Sequence, residues 1–480
     1  MSDQGKRSYA YKHDSSEYSD IEDSLADSEN LDTAAEAVQK VLSLAENDLP
    51  HHGNNGVLGH YIRPGHTVLL KPNLVKEQHP RDPRGWKYVL THGTFIKAVA
   101  DQVFRALDGN GKVIVADAPQ SDSSFNKVCE VLELFRLKDY YQSKGLNFEL
   151  IDLRKYEWKI TSGVVTDRQE LQGDPSGYVA FDLAESSEFL GHSGEGQYYG
   201  ADYDSGEVNR HHTGGRHEYL ISGSPIKCDV FINLPKLKTH KKTGITVNLK
   251  NLVGINGDKN WLPHHTNGFP VTGGDQFPVF TIKRAMEIYG GRLLRSLSLK
   301  IPSLGTSIMK RARRYGMQSF GDTESVVRSG NWHGNDTTWR MCLDLNKLLL
   351  YGNKDGSLRE KLPSKRKPYL CFVDGLTAGQ GSGPMNPDPY SAGVVLFGDN
   401  PGDVDAFATV LMGFNPEKIP LVRQAFQVKD YTITDIPSWK EVTCRSNIPE
   451  WEGTLAEVYR LGKVMRFEPH FGWKGHIERG

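Results

Sequence analysis

Apolar residues occur in short blocks that alternate between two periods. His66–Leu70 (HTVLL) is an apolar run that stops at Lys71-Pro72-Asn73, the pattern of a buried strand running into a loop. Thr91–Leu107 then has helical spacing, with Thr91 as its cap, Asp108–Gly111 reads as a turn, and Lys112–Ala116 is a second apolar run ending at Asp117. The rhythm repeats. Phe125–Tyr141 reads as a helix, Asn147–Leu153 as a strand, and Asp229–Asn233 as a strand leading into Pro235-Lys236. Tyr369–Val373 ends at Asp374, and Gly393–Phe397 ends at Gly398-Asp399. A further helix begins near Thr33 (AAEAVQKVLSLAEN), and Gly191–Gly215 reads as an irregular excursion. This order predicts an α/β fold: a mostly parallel central sheet flanked by helices, with irregular loop insertions. Ligands of such sheets bind at the carboxyl ends of the strands, where Lys71, Asn73, Asp117, Lys236, Asp374 and Asp399 are expected to emerge.

Ser15–Glu29 carries six acids, five serines and no base, so residues 1–32 read as a disordered acidic tail. Residues 33–480 read as the folded part, divisible into two lobes at about 33–280 and 281–480. With 58 Lys+Arg against 59 Asp+Glu there is no global field for nucleic acid, so any attraction for an anion must be local. The five cysteines are scattered, without CxxC or Cys/His spacing, which predicts reduced, buried thiols and no iron–sulfur cluster. Met1–Tyr18 lacks an apolar core and no stretch of 18 apolar residues occurs, so the expectation is cytoplasmic. Residues 291–315 carry seven Lys/Arg and no acid; they read as a solvated basic pair of helices, or as a peripheral membrane contact.

Chemistry concentrates in one string, NLPKLKTHKKTGITVNLKNLVGINGDKNWLPHH, residues 233–265. Between Val230 and Gly257 lie five lysines, one histidine and no carboxylate. Lys236, Lys238 and His240 alternate, so on an extended chain they point to one side. Thr243-Gly244 breaks the chain, and Ile245–Val253 reads as a helix with Asn248 and Asn251 on one face. A helix start beside clustered ammonium groups suits phosphate or carboxylate. Lys71, Lys236, Lys238, Lys250 and Lys259 are candidates to bind an anion, and Asn73, Asn248 and Asn251 to orient it. The competing reading is a solvated basic face with Asn helix caps. His240, flanked by lysines that disfavour its charged form, is the candidate base. His264-His265 can supply an acid/base, whereas adjacent strand residues do not readily share a metal.

Asp374, Asp399, Asp403 and Asp405 form a second, carboxylic group. Asp374 and Asp405 are the candidates for a Mg²⁺ or Mn²⁺ site completed by substrate oxygens, although carboxylates at the start of Val404–Met412 also serve as caps. Gly379–Pro384 (GQGSGP) is glycine-rich but lacks the Lys-Ser/Thr of a phosphate-binding loop, and no NAD fingerprint, GxSxG or HExxH occurs. Asn331–Asp336 is a polar cluster before a helix at Thr337–Leu350.

KPNL at 71–74, ADAP at 116–119, INLPKLKTHKKTGITVNLKNLVG at 232–254, VDG at 373–375, GSGP at 381–384 and NPGDVDAFATVLMGF at 400–414 resemble, in order, the hallmarks of the domain of unknown function 362 family, over about residues 66–426. The resemblance implies the fold and the site's location. Some members carry a ferredoxin-like module, whose cysteines this chain lacks. The matched acidic position is Asp405; Asp403 stands where the family usually has a small residue. Long, cluster-free members resemble accessory proteins of bacterial polysaccharide or secondary-metabolite pathways. The leading expectation is an enzyme acting on a phosphorylated or carboxylated small molecule, sugar-linked or not, with His240 and Lys238 as catalytic groups. The rival is a non-catalytic binding or carrier protein for an anionic metabolite.

Overall fold

The computed structural model describes residues 7–480 except 22–24, 26–31, 47, 50–54, 162–163, 203, 287 and 289–325, so the basic segment 291–315 lies outside the described residues. The strands that matter are β1 (Arg7–Lys12), β2 (Thr67–Pro72), β3 (Lys112–Asp117), β4 (Asn147–Asp152), β5 (Val230–Leu234), β6 (Lys236–His240), β7 (Gly244–Thr246), β8 (Pro263–Thr266), β9 (Tyr369–Gln380), β10 (Asp388–Gly398), β11 (Thr443–Ser446) and β12 (Gly453–Thr454). The helices used below are α1 (Thr33–Glu46), α2 (Gly93–Ala106), α3 (Asn248–Asn251), α4 (Thr338–Tyr351) and α5 (Pro401–Leu411).

All these strands except β8 form one sheet of order β12-β11-β1-β10-β9-β5-β2-β3-β4, with β6 paired to β9 and β7 to β6. Among the described residues six of its ten pairings are parallel, so the sheet is mostly parallel, as the strand–helix rhythm predicts. Both faces are covered. Val68, Leu70, Val113 and Ile232 point into a core closed by α1 and α2, while Leu69, Ile114 and Phe231 point into the other, closed by α4 and α5. Burial on both sides is why these strands read as continuous apolar runs rather than alternating ones. Each core takes residues from both halves of the chain (Leu69 with Leu396, Val68 with Val395), so neither the sheet nor its cores divide at residue 280.

Four expectations are corrected. Residues 7–12 are not a tail but a strand between β10 and β11, with Tyr9 opposite Phe397 and Arg7 opposite Thr443. β10 runs antiparallel to β9, with Cys371 opposite Gly398, which puts Asp399 at the sheet edge away from Asp374, where it accepts from the Tyr61 hydroxyl at 3.1 Å. His92, not Thr91, caps α2, because the Thr91 hydroxyl is used to donate to the Leu234 carbonyl. The stretch 125–141 is two helices, Phe125–Val131 and Leu134–Ser143, parted at Glu133 in the left-handed region (φ 54°). All five cysteines are buried and free, and no described helix is long and apolar enough to cross a membrane.

Candidate functional site

β9 is long enough to serve two partners in succession. Its start pairs with β5 (Asn233 opposite Cys371) and its end with β6 (Lys236 opposite Asp374, Lys238 opposite Gly379). The β6–β7 hairpin therefore projects past the carboxyl ends of β2, β3 and β5. Gly244, at φ 78°, turns the chain back, so that Lys238 lies opposite Thr246. Gly383 backs this hairpin: a Cβ there would come 2.0 Å from the Thr239 carbonyl oxygen, and its own carbonyl accepts from Lys241 N–H at 3.1 Å. The GSGP loop thus shapes β6 rather than approaching a phosphate.

The helix expected at Ile245–Val253 is only the single turn α3 followed by the 3-10 turn Leu252–Ile255, and its first amides are taken. Asp405 reaches from α5 and accepts from Asn248 N–H (2.8 Å), Asn248 Nδ2 (3.0 Å) and Leu249 N–H (3.0 Å). α5 itself is capped by Asn400. Asp405 is thus a cap, but of a neighbouring helix. Burial outweighs its three donors and raises its carboxyl to about 7.

The asparagines form a chain of amides under the site. Asn233 Nδ2 donates to the Tyr369 hydroxyl (2.7 Å) and the Asn248 carbonyl (3.0 Å), Asn251 Nδ2 donates to Asn233 Oδ1 (2.8 Å), and Asn73 Nδ2 donates to Asn251 Oδ1 (2.8 Å). The last link is Lys238, whose Nζ donates to Asn73 Oδ1 (3.1 Å) and to the Val89 carbonyl (2.6 Å). Asn73 and Asn251, expected to orient a ligand, are spent instead on fixing α3 and aiming Lys238. Asn248 keeps a buried Oδ1 without a partner among the described residues. Asn233 could have been found from sequence, being the one polar residue in VFINL.

Two buried ion pairs flank Lys238. Lys71 Nζ lies 2.6 Å from Asp117 Oδ1, and Lys236 Nζ lies 3.0 Å from Asp374 Oδ2. Asp374 also accepts from His92 N–H (3.0 Å) and from the Tyr18 hydroxyl, and the His92 ring is stacked between Tyr18 (3.9 Å) and Trp86 (5.3 Å). No sequence signal pointed to Tyr18, which sits in the acidic stretch. The two carboxylates expected to hold Mg²⁺ or Mn²⁺ do not fit that role: every oxygen of Asp374 and Asp405 already accepts, Lys236 occupies the cation position at Asp374, and the two residues share no partner. Among the described residues no other group of three or more His, Cys, Asp or Glu is arranged for a metal.

Beyond the ion pairs lies a cluster of cationic and imidazole groups. Lys238 (0% exposed), His240 (5%), Lys250 (9%) and Lys259 (7%) are buried, while Lys241, Lys242 and His264 are half-buried and form its solvent side. Lys242 Nζ donates to the carbonyls of Ser329 (2.6 Å) and His264 (3.0 Å), and Lys259 Nζ to the Val253 carbonyl (3.0 Å). Burial lowers Lys238, Lys242, Lys250, Lys259 and both histidines. Lys238 falls well below its ordinary value, with Lys236 and Lys250 adding to the effect; Lys242 falls to about 7 and Lys259 to about 8. His240 and His264 are likewise held well below the usual imidazole value, first by burial and then by Lys250. The lysines beside His240 are therefore only the second cause of its neutrality.

The hydrogen bonds fix the tautomers. An amide can only donate, so His240 Nδ1, which accepts from Lys242 N–H (3.0 Å) and Thr243 N–H (3.3 Å), carries no proton, and the neutral ring is protonated at Nε2. A carbonyl can only accept, so His264 Nδ1 donates to Leu262 O (3.1 Å), and its Nε2 is bare. The neutral His240 is thus a donor rather than the expected base, and His264 has the base's tautomer. His265, next on β8, stacks on Tyr199 at 5.1 Å, and its Nδ1 lies 3.4 Å from Lys242 Nζ. A cleft of about 310 Å³ around Asp152, Arg154 and Glu157 lies apart, and its Arg154 is consumed by Asp152 and two carbonyls.

A mostly parallel α/β sheet with a lysine-rich hairpin at its carboxyl edge is thus the class that fold and site define. Residues 187–410 match the model of the domain of unknown function 362 family, which is consistent with the order of motifs in that span. The β2 and β3 motifs at 71–74 and 116–119 lie outside the matched residues, although they supply Lys71, Asn73 and Asp117 to the same edge. No curated protein matches the chain. Solved structures with a likeness include the lactate racemase apoprotein from Thermoanaerobacterium thermosaccharolyticum (9% identity, TM-score 0.28, 78% of this chain and 52% of that one). Another is a structural-genomics protein from Thermotoga maritima (13% identity, TM-score 0.24, 47% of this chain and 39% of that one). The chain therefore spans about half the length of the racemase chain, 52%.

Proposed function

We propose that the chain is an enzyme that binds an anionic small molecule, phosphorylated or carboxylated, among Lys238, Lys242, Lys250 and Lys259 and moves a proton on it. One observation carries the reading. Lys250 is buried at 9% exposure with no hydrogen bond or ion pair among the described residues, and it acts electrostatically on Lys71, Lys238, Lys242, His240 and His264 alike. Buried charges elsewhere in proteins are paired, and here an anion from solution supplies the missing partner. The opposed tautomers favour catalysis over carriage: His264 Nε2 accepts a proton, while His240 Nε2–H stabilises negative charge on the substrate.

Calorimetric titration with inorganic phosphate and pyrophosphate tests the reading. Binding is expected to the wild-type chain and to be lost in K250M and K238M. Equal binding by all three would overturn it.

A further inference from the structure

At the carboxyl edge of the sheet nearly every buried ammonium is occupied, Lys71 by Asp117, Lys236 by Asp374, Lys238 by Asn73 and the Val89 carbonyl, and Lys259 by the Val253 carbonyl, as is the half-buried Lys242 by two carbonyls. Lys250 is the exception among them. Its surroundings are the Cys342 thiol, whose proton is held firmly by burial (pushed up to about 12), two neutral imidazoles and other lysines. Until an anion pairs with it, an ammonium so placed is costly, whereas a neutral primary amine is not, and an amine desolvated beside other cations is a nucleophile. The two rings provide what addition of an amine to a carbonyl needs, a bare nitrogen to accept protons and an N–H to steady an oxyanion.

Building on the anion-binding reading above, we infer that Lys250 is a nucleophile, and that the anionic small molecule carries an aldehyde or ketone group which Lys250 captures as a Schiff base. Lys250 Nζ attacks the carbonyl carbon; the C–N bond forms as the π pair moves to oxygen, where His240 Nε2–H stabilises the charge. His264 Nε2 takes one proton from the nitrogen and delivers it to that oxygen, giving the carbinolamine. It carries the second proton the same way as the C–O bond breaks. Amine and carbonyl enter, imine and water leave, both amine protons end on the water, and no oxidant or reductant takes part.

The test uses the full chain with two probes, pyridoxal 5′-phosphate and the smaller glyoxylate. Each is trapped with sodium cyanoborohydride and located by peptide mass mapping, beside the phosphate titration. Expected is reductive labelling at Lys250 by either probe, suppressed by inorganic phosphate and absent in K250R, which keeps the charge and melts as the wild type does. Phosphate binding with Lys250 unlabelled by both probes would make this lysine an anion contact only, overturning the inference and leaving the anion reading intact. Labelling at Lys250 that phosphate does not suppress supports the amine and counts against the anion reading. Absence of both labelling and phosphate binding removes both.

Discussion

Replacing Gly254 by alanine adds one methyl group at the point where the site has least room. A Cβ on Gly254 would lie 1.8 Å from Asp117 Oδ1, 2.6 Å from Lys71 Nζ and 2.8 Å from Lys71 Cε. Neither side can retreat cheaply. The Gly254 carbonyl accepts from Ala118 N–H at 2.8 Å, and Asp117 is pinned by Leu74 N–H at 2.7 Å and Ala118 N–H at 2.9 Å. The methyl must therefore separate a buried ion pair, at side-chain exposures of 1% and 4%. Disrupting such a pair costs about 3–5 kcal/mol. Urea denaturation of G254A should show a loss in that range at unchanged m-value. In a D117A background, which removes the oxygen the methyl meets, the further cost of G254A should fall below about 1 kcal/mol. A G254A protein within about 0.5 kcal/mol of wild type would show that this contact does not constrain the site.

Deleting residues 1–20 removes β1 from between β10 and β11 and with it Tyr18 from Asp374, so the truncated chain should fail to melt cooperatively; an unchanged melting curve would restore the tail reading. Tyr18→Phe alone takes hydroxyl contacts from Asp374 and Lys236 and should lower stability by about 1–3 kcal/mol, read by urea titration; no change would show that the strap is idle. Asp405, raised in the fold to about 7 from 3.8, contributes stability that is fully present below the unfolded value and is lost as pH climbs to about 7. That loss is worth about 4 kcal/mol at 1.36 per unit, so the stability difference between wild type and D405N should shift against the wild type between pH 4.5 and 7.5, and a constant difference would refute it. Lys242 and Lys259, lowered to about 7 and about 8, lose their protons as pH rises from 6 to 9, so affinity for sulfate, whose own charge is constant there, should fall roughly tenfold, and a flat calorimetric profile would count against their role.

Much of the sheet was legible because its strands are buried on both faces, and Val68–Leu70, Val113–Val115 and Val230–Ile232 show that as uninterrupted apolar runs. Strand direction was not legible: periodicity is the same for parallel and antiparallel strands, so Asp399 was placed at the wrong edge. The lysine-rich string was legible as a concentration of cations, but its burial was not, because only the β6–β7 hairpin against β9 buries Lys236 and Lys238 completely. The asparagines were found and their task was not, since an amide's partners lie on other elements: Asn251 on β5 and Asn73, Asn73 on Lys238. Tyr18 and His92 reach Asp374 from more than 280 residues away in sequence, beyond any local pattern. The tautomers of His240 and His264 were not legible either, because each depends on a single amide or carbonyl contact.

In the proposed function an anion completes the Lys238–Lys250–His240–His264 cluster. An anomalous difference map from crystals of the full chain soaked in sodium selenate tests it most directly. A selenium peak is expected within about 4 Å of Lys250 Nζ, with an oxygen at hydrogen-bonding distance from His240 Nε2. Selenium bound only at other surface positions, with Lys238 and Lys250 in the places described above, would contradict it.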